Sequence, residues 1–253
     1  MSEWQDRWKT HFDEQVKKFS APEEQAGYES RALFDKRLEL IAVLISSSCQ
    51  NLSANPNSKR DCLDIGCNTG HLTKILWDSG FKVTGLDFSK QSLLLAKELL
   101  PQASFVYGDA LALPFEVNQF DVVTSFGTLQ ILRDWRQALR EMNRVLKPGG
   151  VAIVETNLRQ PIWIALPRLL IWLVSRRISL KQARHALKIT SGWGRPKNWN
   201  SSTNLECDYF DPTVIISEAK NQGWIDIQLV LIPDHRFWKP GYIFGLKLVK
   251  PNA

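Results

Sequence analysis

The residues best placed to do chemistry are a short glycine loop and the carboxylates that follow it. Asp61-Cys-Leu-Asp-Ile-Gly-Cys-Asn-Thr-Gly70 reads as a strand that enters a tight turn and then a helix. Glycines at 66 and 70 let backbone approach a ligand closely, and the N–H groups of the helix that follows would point at it. A dinucleotide fingerprint of the G-x-G-x-x-G kind would need glycines at 66, 68 and 71. Positions 68 and 71 are Asn68 and His71, so that fingerprint fails twice. The spacing is instead Asp64-x-Gly66-x-Asn68-x-Gly70, and two further acids follow it in order. Asp87 closes Val83-Thr-Gly-Leu-Asp87, where a carboxylate can accept from both hydroxyls of a ribose. Asp109, in Gly108-Asp109-Ala110, could accept from an adenine amino group. Each acid has a plainer alternative, a helix cap for Asp87 and a turn for Asp109.

These residues must be positioned by regular elements, and the sequence supplies them in alternation. Strands are expected at Asp61–Ile65, Lys82–Leu86, Ser104–Tyr107, Phe120–Ser125 and Val151–Val154. Helices are expected at Thr69–Ser79, after a cap at Ser89, and after a cap at Asp134. In the last of these Trp135, Ala138, Leu139, Met142, Val145 and Leu146 recur at helical spacing, and Lys147-Pro-Gly-Gly150 should end it. Asp211-Pro212 begins another helix that Gly223 stops, and Ile225–Ile232 with Tyr242–Val249 should pair as an antiparallel hairpin. Such alternation predicts an α/β fold with a mostly parallel sheet covered on both faces. Ahead of it, Arg31 to Ser47 has the spacing of a helix with one buried face, and residues 51–59 read as a linker loop.

The loop, the two later acids, Leu113-Pro114-Phe115, Phe120-Asp-Val-Val-Thr-Ser125 and Arg144-Val-Leu-Lys-Pro-Gly-Gly150 together resemble the class I S-adenosylmethionine-dependent methyltransferases over roughly residues 60–155. The likeness is to the broad group that includes the ubiquinone and menaquinone methyltransferases. It implies a Rossmann-like fold, a seven-stranded, mostly parallel sheet with an antiparallel last strand, and S-adenosylmethionine as cofactor. It also implies roles: Asp64 and Asn68 as parts of the cofactor loop, and Gly66, Cys67 and Gly70 around the methionine moiety. Asp87 would hold the ribose, Phe88 one adenine face, Asp109 and Ala110 the adenine edge, and Phe126 and Gln130 would lie beside the methionine end. Where many relatives carry histidines the chain reads Phe126-Gly-Thr-Leu-Gln-Ile-Leu132, so no base carries over there. The weak candidates for a catalytic group are His185, His235 and Glu155, each with a surface or packing alternative. Tyr28 and Arg31 could reach the methionine carboxylate or simply lie on a helix surface. No Asn/Asp-Pro-Pro-Tyr follows the fourth strand and no Pro-Cys or Thr-Cys stands near the cleft, which argues against amide or adenine N-methylation and against cytosine C5 chemistry.

Composition bounds the rest. The 253 residues are 44% hydrophobic and 23% charged, a globular profile. We expect a single domain over 1–253: a helical cap at 1–50, the cofactor-binding core at 60–157, a lid insertion at 158–210, and a C-terminal helix and strand pair at 211–253. The four cysteines form no CxxC pair, and no metal site is expected. The N-terminus has mixed charge and the longest apolar run contains Arg168, so a cytoplasmic protein is expected, with peripheral contact at a membrane surface as an option. From Thr156 to Leu205 there are nine basic residues and no acidic one, leaving 23 basic against 26 acidic residues elsewhere. The same segment begins with an apolar run, Ile162 to Val174. Three readings of it compete: packing with a solvated basic face, a lid over a lipophilic acceptor at an anionic membrane, and a nucleic-acid surface. Methylation of a small lipophilic or aromatic metabolite is favoured. An RNA methyltransferase and a non-catalytic cofactor-binding scaffold are the alternatives.

Overall fold

A computed structural model describes residues 3–21, 24, 31–49, 59–158, 174, 210–232 and 242–252. The expected lid at 158–210 therefore lies almost wholly outside the described residues, as do His185, His235 and Tyr28. Two helices come first, α1 (Glu3–Lys18) and α2 (Arg31–Cys49). The alternating core follows as β1 (Asp61–Ile65), α3 (His71–Asp78), β2 (Lys82–Asp87), α4 (Lys90–Leu99), β3 (Ser104–Tyr107) and β4 (Phe120–Phe126). It closes with α5 (Trp135–Val145), β5 (Leu146–Leu158), α6 (Pro212–Asn221), β6 (Ile225–Ile232) and β7 (Tyr242–Val249).

The seven strands form one sheet in the order β3-β2-β1-β4-β5-β7-β6. The first five pair in parallel, and β7 inserts antiparallel between β5 and β6. The fold is thus the Rossmann-like α/β architecture that the resemblance implied. The chain runs outward from β1 to β3 and then returns to the other side of β1, so the crevice between β1 and β4 is a switch point at which such sheets bind ligands.

Strand alternation divides the core in two. Leu63 and Ile65 of β1 face a cluster with Val123, Leu139, Met142, Ile215 and Trp224, whereas Cys62 faces Ile41, Ile45, Leu76, Val83 and Val122. The period-2 pleat sends neighbouring residues to opposite faces. α5 buries Trp135, Ala138, Leu139, Met142 and Val145, the face its sequence spacing predicts. Leu139 has no exposed surface. Leu139→Ala should therefore lower the unfolding free energy by about 3 kcal/mol in urea titration, through lost burial plus the cavity left behind. Leu94→Ala, 59% exposed on α4, should change it by less than about 0.5 kcal/mol.

One boundary departs from expectation. Helix α5 ends at Val145 and β5 begins at Leu146, so Lys147-Pro-Gly-Gly150 lies inside the strand. Phe120 pairs with Leu146 but Val122 pairs with Val151, so the intervening residues bulge out of the ladder. Gly149 takes φ +73°, and a Cβ on Gly150 would stand 3.0 Å from the Asp121 carbonyl. The glycines serve the bulge and its close approach to β4 rather than a helix stop.

Candidate cofactor site

The cofactor loop is fastened to β2. Gly66 N and Cys67 N both donate to the Leu86 carbonyl, at 2.7 and 3.1 Å. Asn68 sits at φ +48° and its N–H donates to Asp87 Oδ2 at 2.9 Å. The other oxygen of Asp87 accepts from Ser89 N at 2.8 Å. The Asp87 carboxylate thus bridges the loop and the start of α4, held by backbone N–H groups on one side. Burial pushes its pKa up to about 6, against the backbone N–H groups that favour the charged form.

The glycines earn their places by close packing. At Gly66, φ is +76° and a Cβ would fall 2.0 Å from Thr128 Oγ1. At Gly70, φ is +83° and a Cβ would meet Ala96 at 3.0 Å, so this glycine lets α3 approach α4. Asp64 lies beneath the loop. Its two oxygens accept from Thr73 Oγ1 at 2.7 Å and Thr124 Oγ1 at 3.0 Å, and burial raises its pKa to about 6. The Cys67 side chain points at Gly85 of β2 and is buried, which pushes its thiol well up and leaves it a packing group rather than a nucleophile.

Four strand ends converge on one cavity. Gly66 follows β1, Asp87 and Phe88 end β2, Gly108, Asp109 and Ala110 follow β3, and Thr128, Ile131 and Leu132 follow β4. Leu86 and, from α1, Gln5 and Trp8 complete the wall. Of the residues read from sequence, Gly66, Asp87, Phe88, Asp109 and Ala110 are brought together here. Asp64, Cys67, Asn68, Gly70, Phe126 and Gln130 are not among the lining residues. The Phe126 side chain packs against the cluster that holds Ile41, Val122 and Ile153 on the α2 face of the sheet, and Gln130 lies half-buried in a 3₁₀ turn at Leu129–Ile131. Glu155 is buried at 1% exposure, in register with Phe126, and does not line the cavity either. Arg31 pairs with Asp35 one turn along α2, at 2.8 Å. Among the described residues no group of three or more His, Cys, Asp or Glu could hold a metal ion, and no helix is long and apolar enough to cross a membrane.

Gln5, Trp8 and Thr128 were not singled out by the sequence. The first two reach the site from a helix more than a hundred residues away from Asp109 in the chain. Only the amphipathic face of α1, with Trp4, Trp8 and His11 buried, signals that this helix packs on something.

The donor set decides which ligand the cavity suits. Among the described residues, those that line it include two carboxylates and no cation. A dinucleotide would bring phosphates into that acidic wall, whereas a nucleoside brings hydroxyl and amino donors that carboxylates accept. Asn68 Oδ1 is buried at the loop with no hydrogen-bond partner, a further acceptor in want of a donor. Flat apolar walls at Phe88, Ala110, Ile131 and Leu132 suit an adenine ring. These residues fit S-adenosylmethionine.

Comparison with known proteins agrees. Residues 63–154 match the family model described as a methyltransferase domain. A demethylmenaquinone methyltransferase of Staphylococcus aureus is 45% identical over 103 residues. That match covers 38% of this chain and 42% of the relative, so the shared part is less than half of either. Among solved structures, a Pyrococcus horikoshii protein superposes with TM-score 0.60 at 21% identity, covering 88% of this chain and 92% of that one. Haemonchus contortus phosphoethanolamine N-methyltransferase 2, in complex with phosphomonomethylethanolamine and S-adenosylhomocysteine, superposes with TM-score 0.58 at 16% identity, covering 85% and 52%. These likenesses show the fold. With that fold, that acidic cavity and the family match, residues 63–154 form a methyltransferase domain of class I architecture.

Proposed function

We propose that the protein transfers the methyl group of S-adenosylmethionine to a small lipophilic or aromatic acceptor of the quinone kind. The observation that carries the cofactor half is the pair of carboxylates, Asp87 and Asp109, with no cation among the described residues that line the cavity at the switch point of the sheet. The acceptor half is supported by the 45% identity to a demethylmenaquinone methyltransferase and by the apolar and basic run of residues 159–205.

The cofactor supplies an electrophilic methyl group on a sulfonium; transfer leaves a neutral thioether, so the reaction needs no general acid. The chain's own residues bind and orient. Asp87 accepts from the ribose hydroxyls, Asp109 accepts from the adenine amino group, and Phe88 covers one ring face. Alignment in a closed, apolar site and exclusion of water supply much of the acceleration for a displacement that disperses charge. An acceptor hydroxyl or carbon acid loses its proton to a base. His185 and His235, both outside the described residues, remain the candidates for it; Glu155 is buried away from the cavity. The basic segment would suit an anionic membrane surface from which a lipophilic acceptor is drawn.

The test is incubation of the purified protein with methyl-labelled S-adenosylmethionine and extract of the source organism, followed by separation into lipid-soluble, small polar, nucleic-acid and protein fractions. Label is expected in the lipid-soluble fraction. Label in nucleic acid would overturn the acceptor class in favour of RNA. No label in any fraction, with cofactor binding confirmed, would favour a non-catalytic scaffold.

A further inference from the structure

We propose that α1 is a gate on this cavity, held shut by Gln5, whose carboxamide takes the place on Asp109 that the adenine amino group needs. The inference rests on the cofactor site proposed above. Gln5 Nε2 donates to both oxygens of Asp109, at 2.9 and 2.8 Å, and Leu111 N donates to one of them at 2.9 Å. To a carboxylate, a primary amide and the exocyclic amine of adenine are alike: planar, neutral –NH₂ donors. With Gln5 seated, Asp109 has little left to offer a second donor of that kind.

The rest of α1 closes the same space. Trp8 lines the cavity, and Phe12 stands edge-on to Phe88 with ring centroids 6.1 Å apart. What remains is about 20 Å³, room for about one water molecule. Pockets that hold a ligand of nucleoside size run to roughly 300 Å³ or more. The cofactor and the closed helix therefore exclude one another.

The closure is also of a reversible kind. α1 is fastened to the core by a few polar contacts, Trp4 Nε1 to the Ile131 carbonyl at 2.7 Å, Gln5 to both oxygens of Asp109, and Ser89 Oγ to Asp13 at 2.6 Å, and by the packing of Trp4, Trp8 and Phe12 with Ile131 and Phe88. In the closed position Trp8 Nε1 and His11 Nδ1 are buried without a hydrogen-bond partner. Buried unpaired polar atoms disfavour the state that contains them. A helix so held can open when a better donor for Asp109 arrives, and opening would admit cofactor and release the spent thioether.

Gln5→Ala tests the gate, with Gln5→Glu as a second variant that sets a carboxylate against Asp109. Two measurements are made on the full chain: affinity for S-adenosylhomocysteine by calorimetry, and amide hydrogen exchange over residues 3–18 without ligand. Both variants should bind about 5- to 30-fold more tightly than the wild type, the equivalent of the two competing hydrogen bonds from Gln5 removed. Both should also exchange faster along α1. Weaker binding by Gln5→Ala would overturn the gate and make Gln5 a residue that holds bound cofactor. Unchanged exchange along α1 in Gln5→Ala would overturn the gate alone. Failure of the wild type itself to bind S-adenosylhomocysteine would overturn the cofactor site and the gate with it.

Discussion

Asp87→Asn should raise the dissociation constant for S-adenosylhomocysteine by about 100-fold, the loss of two charge-assisted hydrogen bonds to a ribose, while leaving the chain folded. Both carboxylate oxygens are already engaged on one side, by Asn68 N and Ser89 N, so the carboxylate is fixed in direction before any ligand arrives. An asparagine can present only one oxygen, and its –NH₂ would oppose one of those two backbone donors. Stability should move far less than affinity. In the folded chain the Asp87 pKa is raised from its ordinary 3.8 to about 6 by burial. A raised pKa favours folding most below the ordinary carboxylate value, and that contribution is lost as pH climbs through about 6. At pH 7 the fold therefore carries this ionised group at a cost, which the neutral amide relieves. Cofactor binding runs the other way, because ribose hydroxyls need the ionised acceptor. Wild-type affinity should fall below about pH 6, by roughly tenfold per pH unit well below that value, and the Asp87→Asn profile should lose this step. Calorimetry across pH 5 to 8 checks both. An unchanged affinity in Asp87→Asn would leave Asp87 as a loop brace and remove it from the site.

Legibility in the sequence followed the range of the physics involved. Caps and strand bounds depend on neighbours a few residues away, and here Ser89 accepts from Ser92 N, Asp134 from Gln137 N and Asp211 from Thr213 N, each as its residue type suggests. The five buried positions of α5 follow from helical period alone. The parts of the site that strand ends carry, Gly66, Asp87 and Asp109, were equally readable, since a strand–turn–helix fixes where its turn points. What was not readable came from long-range contact. Nothing local to Asp64 shows that Thr73 and Thr124 will engage both its oxygens below the loop rather than let it face a ligand. Nothing near Gln5 indicates Asp109, and nothing in Lys147-Pro-Gly-Gly150 separates a helix stop from a strand bulge until β4 lies beside it.

The reason for a glycine at position 66 is likewise invisible until Thr128 is in place, and it sets the second large effect. Gly66→Ala should destabilise the protein by about 2 to 4 kcal/mol and weaken S-adenosylhomocysteine binding by at least about 10-fold. Two contributions add. At φ +76° an alanine pays about 1–2 kcal/mol for the left-handed conformation. Its Cβ would also stand 2.0 Å from Thr128 Oγ1, a separation that cannot persist. Either Thr128 rotates and gives up the bond from its hydroxyl to the Ile65 carbonyl, 3.1 Å long, or the loop shifts and strains Gly66 N on the Leu86 carbonyl. Each route removes about 1 kcal/mol of hydrogen bonding and displaces the turn on which Asp87 and the cavity floor depend. A second substitution separates the contributions. Thr128→Ala removes the closest atom, although its Cβ still lies 3.1 Å from the new methyl group. The double variant should therefore recover part of the lost stability and retain the backbone strain. Urea unfolding of the wild type, both single variants and the double variant reads this directly. Equal stability of Gly66→Ala and wild type would show that the loop does not take this conformation.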